Sequence, residues 1–187
     1  GGVAALDNVS LTVDVGSVVA IVGDNGAGKS TLLKCITGAE SYERGEVVLL
    51  GKPLPQGVPG ESRRAGIEMI YQDLSLCPQH SAVTNIFLGR ELRYHVGAVT
   101  LPVVNSAAMR ARAQELLAQL QVSIDVDKPV ARLSGGQQQA VAICRALNLS
   151  PKLLIMDEPT AALGVREADI VMKLITTLRE RGMGILL

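Results

Sequence analysis

"VVAIVGDNGAGKSTLL", residues 18–33, decides how the rest of the chain is read. Val18 to Val22 is an apolar, β-branched run of the kind that makes a fully buried strand. Within the stretch, "GDNGAGKS" (Gly23–Ser30) fits the pattern G-x-x-x-x-G-K-[ST], and the strand before it and helix after it are the context that pattern needs. Glycines let successive backbone N–H groups curl inward around an anion, and the start of a helix adds partial positive charge beneath them. Lys29 has the reach for β- and γ-phosphates, Ser30 carries a hydroxyl for Mg2+, and Thr31 can donate to an inner phosphate. Gly23, Asp24, Asn25, Gly26, Ala27, Gly28, Lys29, Ser30 and Thr31 together form a candidate site for a nucleoside triphosphate.

Working outward, "VSLTVDVGSVVAIVG" reads as two early strands, the second ending at Val22. "GAGKSTLLKCITGA" has helical spacing, with Leu32, Leu33, Cys35 and Ile36 inward and Gly38 as the stop. A short strand at "GEVVLLG" precedes a turn, "KPLPQGVPG", broken by Pro53, Pro55 and Pro59. "AGIEMIYQ" is another buried strand, ending near Gln72. From residue 73 to 132 the pattern turns helical, in "SAVTNIFLGREL" and in "NSAAMRARAQELLAQLQV", where Asn105 or Ser106 caps a stripe of Met109, Leu116, Leu117 and Leu120. "LSGGQQQAVAICRALNLSP" is helical from about Gly136, "KLLIMDEP" is a hydrophobic strand, "READIVMKLITTLRERG" is a helix and "MGILL" opens a last strand. Strands alternating with helices imply a parallel sheet with right-handed crossovers.

The chain has 187 residues, 48% of them hydrophobic, enough for a packed domain with a smaller lobe. Only 2% are aromatic and none is Trp, so the core is aliphatic and no stacking platform for single strands is at hand. Eighteen basic residues balance eighteen acidic ones, which argues against a nucleic-acid partner. No apolar run approaches the roughly 20 residues of a membrane-spanning helix, and no secretory signal opens the chain. Cys35, Cys77 and Cys144 are widely separated, lack metal-ligand spacing and read as small buried thiols in a reducing compartment. The abrupt ends suggest a piece of a longer protein.

Two further stretches carry chemistry. "LLIMDEP" puts Asp157 and Glu158 at the carboxyl end of a buried strand, the edge where open parallel sheets bind ligands. Asp157 is expected to hold Mg2+ through water, and Glu158 to polarise the water that attacks a γ-phosphate. "LSGGQQQA" (residues 133–140) lays two adjacent glycines bare at a helix start and follows them with three glutamines, an arrangement no ordinary core requires.

"GDNGAGKS", the strand-ending Gln72 in "YQD", "LSGGQ" and "LLIMDEP", in that order, resemble the nucleotide-binding domain of ABC transporters over nearly the whole chain. The resemblance implies an α/β phosphate-loop NTPase core, a mostly parallel sheet with an N-terminal antiparallel β part, formed by residues 1–72 and 133–187. A helical subdomain at 73–132 would be inserted into it. It implies ATP and Mg2+ as cofactors and ATP hydrolysis coupled to transport, with Glu158, Gln72 and Lys29 catalytic and Ser30, Gln72 and Asp157 around the metal. A second ATPase domain would pair head to tail, so that Ser134, Gly135, Gly136 and Gln137 of one copy meet the γ-phosphate held by the other. Gln72 would sense Mg2+ and the attacking water and move the helical lobe, and transmembrane permease subunits would dock between its loop and "SLCPQHSAVTNIFLGRE". "NIFLGRE", "QQQ" and "EPTAALGVRE" look like the carbohydrate importers for ribose, xylose, fructose or similar sugars. A periplasmic or extracellular sugar-binding protein would then be an indirect partner, and the chain would sit peripherally on the cytoplasmic face of the membrane.

Three positions depart from the family pattern. No aromatic residue stands among residues 1–22 to stack on adenine, the family's switch histidine would be expected after the last strand, beyond Leu187, and Gly164 takes the place of a common Asp. His80 and His95 lie in the helical lobe and do not substitute for that histidine. A soluble ABC-type ATPase acting on DNA ends or ribosomes would carry coiled-coil insertions or basic linkers, and neither is present. A regulatory domain that binds ATP without hydrolysing it is opposed by the intact hydrolytic residues.

Overall fold

The computed structural model of the protein describes residues 5–97, 99–161 and 163–187. In chain order its elements are β1 (Val18–Val19), α1 (Lys29–Ile36), β2 (Val47–Leu49), β3 (Lys52–Leu54), α2 (Pro59–Ala65), β4 (Ile67–Ile70) and α3 (Ala82–Phe87). There follow β5 (Arg93–Val96), β6 (Val99–Val104), α4 (Ser106–Gln119), α5 (Gly135–Leu147), β7 (Leu153–Met156), α6 (Val165–Glu180) and β8 (Gly184–Leu186). They form two compact units. The first runs to Gln72 and takes in Ser150–Pro159 and Leu178–Leu187; the second comprises Asp73–Leu149 and Thr160–Thr177.

The first unit is built on a four-stranded sheet in the order β1-β8-β7-β4, parallel throughout. Ile67, Ile155 and Leu186 from three of these strands and Leu33 from α1 make one buried aliphatic cluster, flanked by Val13, Val19, Ile21 and Ile36. β2 and β3 form an antiparallel hairpin whose two loop residues, Leu50 and Gly51, both have positive φ (50° and 77°), as a type I′ turn requires. Pro53 fits there because a two-stranded pair consists only of edges.

In the second unit α3, α4 and α5 pack on one another. α5 is buried along most of its length, through Ala140, Val141, Ala142, Ile143, Cys144 and Ala146. It faces Ile86, Phe87, Met109 and Leu116, themselves buried, as two helices packed on it demand. The expected division kept all of 133–187 with the core. The apolar face of α5 instead draws 133–149, together with 160–177, into the second unit.

Several expectations are corrected. No strand forms over residues 9–17, and β1 is two residues long, with Val18 against Ile185 and Val19 against Leu186 of β8. Val22 lies beyond the last ladder bond, from Ile21 N–H to the Leu187 carbonyl, and is 88% exposed rather than buried. "VPG", read as the end of the broken turn, instead opens α2, with Val58 as N-cap and Pro59 at the first helical position, where its missing N–H costs nothing. Between the two stretches read as helices, the subdomain expected to be helical holds the β5–β6 hairpin; the β-branched residues of "VTLPVV" were the signal.

Cys35, Cys77 and Cys144 are all free. Burial pushes the Cys144 thiol up to about 12, and burial followed by the nearby Glu40 raises that of Cys35. Both therefore stay protonated and unreactive at neutral pH.

One buried polar residue fixes a loop in the second unit. Asn85, fully buried, accepts from the Cys77 N–H at 2.7 Å and donates through Nδ2 to the carbonyls of Cys77, His80 and Ser81. Its amide replaces the secondary structure that loop lacks. Replacing Asn85 by Ala leaves those groups without partners and is expected to cost about 3 kcal/mol, read as a shift in the urea unfolding midpoint.

Candidate functional site

The phosphate loop follows β1 in the first unit. Gly26 and Gly28 take φ of 86° and 90°, in the left-handed region that glycine alone enters freely. Gly28 is also the N-cap of α1, without a side-chain cap, so the first N–H groups of that helix have no side-chain acceptor from the cap. A Cβ on Gly28 would run into the backbone oxygen of Ala5. Lys29 Nζ donates to the carbonyls of Gly23 (2.7 Å) and Asp24 (3.1 Å), and a turn bond from Ala27 N–H to the Asp24 carbonyl closes the loop. The ammonium is thus folded back onto the start of its own loop.

The acidic pair ends β7. Ile70 of β4 is in register with Met156 of β7, and Asp157 N–H still bonds the Ile70 carbonyl at 2.9 Å. Asp157 is half-buried. Glu158 is exposed, and its φ of 49° departs from the strand, a left-handed conformation costly for a residue with a Cβ. Gln72 stands two residues past Ile70, so it leaves the sheet beside Asp157 and Glu158, one strand spacing of about 4.8 Å away. β8 lies between β1 and β7, so the strands that lead to the phosphate loop and to the acids are two spacings apart, about 10 Å. Because all four strands run parallel, the loop, Gln72, Asp157 and Glu158 share one edge of the sheet. Ser30 and Asp157 carry hard oxygen donors, of the kind that could hold Mg2+ alongside substrate phosphates.

Ser134 to Gln137 belong to the second unit and start α5. Ser134 is the N-cap and forms a reciprocal capping box with Gln137: Gln137 N–H donates to Ser134 Oγ at 3.4 Å, and Ser134 N–H to Gln137 Oε1 at 3.0 Å. The reading of a backbone laid open from 134 to 136 needs correction. Ser134 is exposed, but Gly136 is buried against Ile170 and the backbone of Glu167, and Gly135 N–H donates to Glu167 Oε1 at 2.9 Å. A Cβ on Gly135 would stand 2.6 Å from Leu163 Cδ2, so the glycine is there for close packing as well as for an open amide.

The three glutamines have separate tasks. Gln137 caps, Gln138 Nε2 donates to the carbonyls of Val130 and Leu133, and Gln139 is buried. Sequence reasoning also passed over Arg145, whose guanidinium donates to the carbonyls of Leu74 (2.5 Å) and Ser75 (2.9 Å), in the loop that follows Gln72. An arginine late in an otherwise aliphatic helix was its only sign.

A glycine-lined anion loop and two acids on one edge of a parallel sheet define a phosphate-loop NTPase. The comparisons narrow that class. Residues 6–161 match the ABC transporter family. The chain is 46% identical to the xylose/arabinose import ATP-binding protein of Sulfolobus acidocaldarius, over 100% of this chain and 72% of that protein. It is 44% identical to the fructose import ATP-binding protein of Rhizobium meliloti, over 100% of this chain and 73% of that one. With the galactofuranose transporter ATP-binding protein of Escherichia coli it shares 40%, covering 99% of itself and 36% of that longer protein.

Among solved structures, the ADP conformation of an ATP-binding cassette of an ABC transporter superposes with a TM-score of 0.82 at 31% identity, covering 97% of this chain and 73% of that one. A second cassette, dimeric in a post-hydrolysis state with ADP and Pi bound, gives 0.75 at 31%, covering 97% and 78%. The chain belongs to the ABC transporter family and is one of its ATP-binding cassettes. Among the described residues, no helix is long and apolar enough to cross a membrane.

Gly28→Ala, which forces a Cβ into a left-handed position against Ala5, is expected to cost ~1–2 kcal/mol in urea unfolding. It should also abolish binding of a fluorescent ATP analogue, because the loop can no longer close around a phosphate.

Proposed function

We propose that this cassette hydrolyses ATP to drive uptake of a sugar through separate membrane subunits. The reading is supported by the shared sheet edge: the segments that carry Lys29, Gln72, Asp157 and Glu158 all follow the carboxyl ends of its parallel strands. The sugar class is supported by the xylose/arabinose and fructose import proteins at 46% and 44% identity. The choice among sugars belongs to the binding protein and the membrane subunits. The cassette itself works peripherally, at the cytoplasmic face.

The amides of Gly23 to Gly28 cradle the phosphates, and Lys29 leaves the carbonyls of Gly23 and Asp24 to meet the β- and γ-phosphate oxygens. Ser30 and Asp157 would hold Mg2+, which supplies charge neutralisation across those oxygens. Glu158 accepts hydrogen bonding from the attacking water and orients it, and Gln72, one strand over, lines the same space. The partner is a second cassette turned head to tail, whose Ser134 hydroxyl and α5 start close over the γ-phosphate. That a related cassette was solved as a dimer with ADP and Pi supports such pairing.

Lys29→Ala is expected to lose nucleotide binding. Glu158→Gln should retain it, lose turnover by on the order of 10³-fold, and accumulate an ATP·Mg2+-dependent dimer in sedimentation velocity. An enzyme that still turns over normally as Glu158→Gln would overturn this assignment.

A further inference from the structure

Glu167 lies in the first turn of α6, and a glutamate there has an ordinary explanation. Its Oε2 accepts from the N–H of Gly164 at 3.4 Å, the reach of a third-position glutamate back to the residue before its helix. The second oxygen goes elsewhere. Oε1 accepts from Gly135 N–H at 2.9 Å, across 32 residues of sequence, at the first amide of α5. One carboxylate thereby closes the starts of two helices, and the positive ends of both favour its charge. The packing agrees: Leu163 fills the space where a side chain on Gly135 would be, and Ile170 and the Glu167 backbone lie against Gly136.

A cap for α6 alone needs only the bond to Gly164. The bond to Gly135 ties the "LSGGQ" start to the start of α6, all within the second unit. Gly135 N–H being committed to Glu167, the groups left to meet a foreign phosphate at this start include the exposed Ser134 hydroxyl.

We propose that Glu167 is a positioning residue: its carboxylate locks the start of α5 onto the start of α6, so that the surface offered to a second cassette is assembled before pairing. The proposal rests on the head-to-tail reading above.

The test uses the full chain in the Glu158→Gln background. Glu167→Ala is expected to weaken the ATP·Mg2+-dependent dimer about tenfold, the size of losing one charge-assisted hydrogen bond. Glu167→Asp, one methylene too short to span both amides, should weaken it similarly. Glu167→Gln keeps the size and a single acceptor, so it should fall between and carry the comparison if the alanine variant does not fold. Binding of a fluorescent ATP analogue to the unpaired chain should be unchanged in all three, which a general loss of structure would not allow. Amide exchange over residues 133–138 of the nucleotide-free chain should rise in Glu167→Ala.

Two results overturn the role: dimers of the Glu167 variants as tight as the parent's, or unchanged exchange at 133–138. A parent that exchanges as expected yet never pairs with ATP·Mg2+ overturns the pairing, and this role with it.

Discussion

β7 is held on both sides. It pairs with β4 from Ile67 against Leu153 to Ile70 against Met156, and with β8 from Leu153 against Gly184 to Ile155 against Leu186. Leu154, Ile155 and Met156 are fully buried, so the strand has no solvent face onto which it could turn. A slip of one residue would carry Asp157 and Glu158 past or short of Gln72 and reverse the side chains along the strand. The two ladders therefore fix the chemistry as much as the fold. The proposed reaction site is the edge where the parallel strands run out, and the spacing of the strands that lead to it is set by the sheet.

What was legible in the sequence follows from that sheet. Strands buried on both faces are largely apolar runs, so "LLIM", and "GIEMI" with Glu68 in its middle, could be read directly, and the phosphate loop and the acids stood out because they follow such runs. The helix starts at Asn105 and Ser134 were visible from their caps. The extent of β1 was misjudged because burial depends on neighbours the local pattern does not record: "VVAIV" is as apolar as "LLIM", but its ladder joins Val18 and Val19 to Ile185 and Leu186. α2 escaped because Pro59 is both a breaker of helices and a good first residue of one. The β5–β6 hairpin escaped because it interrupts a stretch whose flanks are helical.

The site residues divide along the same line. Lys29, Ser30, Gln72, Asp157 and Glu158 belong to segments whose spacing is local. Glu167 and Arg145 act on backbone 32 and about 70 residues away, and no local pattern announces such bonds. α5 shows how densely one helix can be used. Its start is capped by Ser134 and Gln137, its first amide is held by Glu167, its middle is aliphatic core, and its last turn holds the loop after Gln72. The two glycines that looked like a backbone stripped for a ligand are equally a backbone stripped for packing.

The left-handed backbone at Glu158 has an evolutionary corollary. A glycine would rest there more comfortably, by about 1 kcal/mol, so the carboxylate persists against the preference of its own main chain. In a lineage released from the need for turnover, this is the position where stability and neutral drift pull the same way. Descendants with glycine after the strand-ending aspartate would be the mark of cassettes that have retired from hydrolysis.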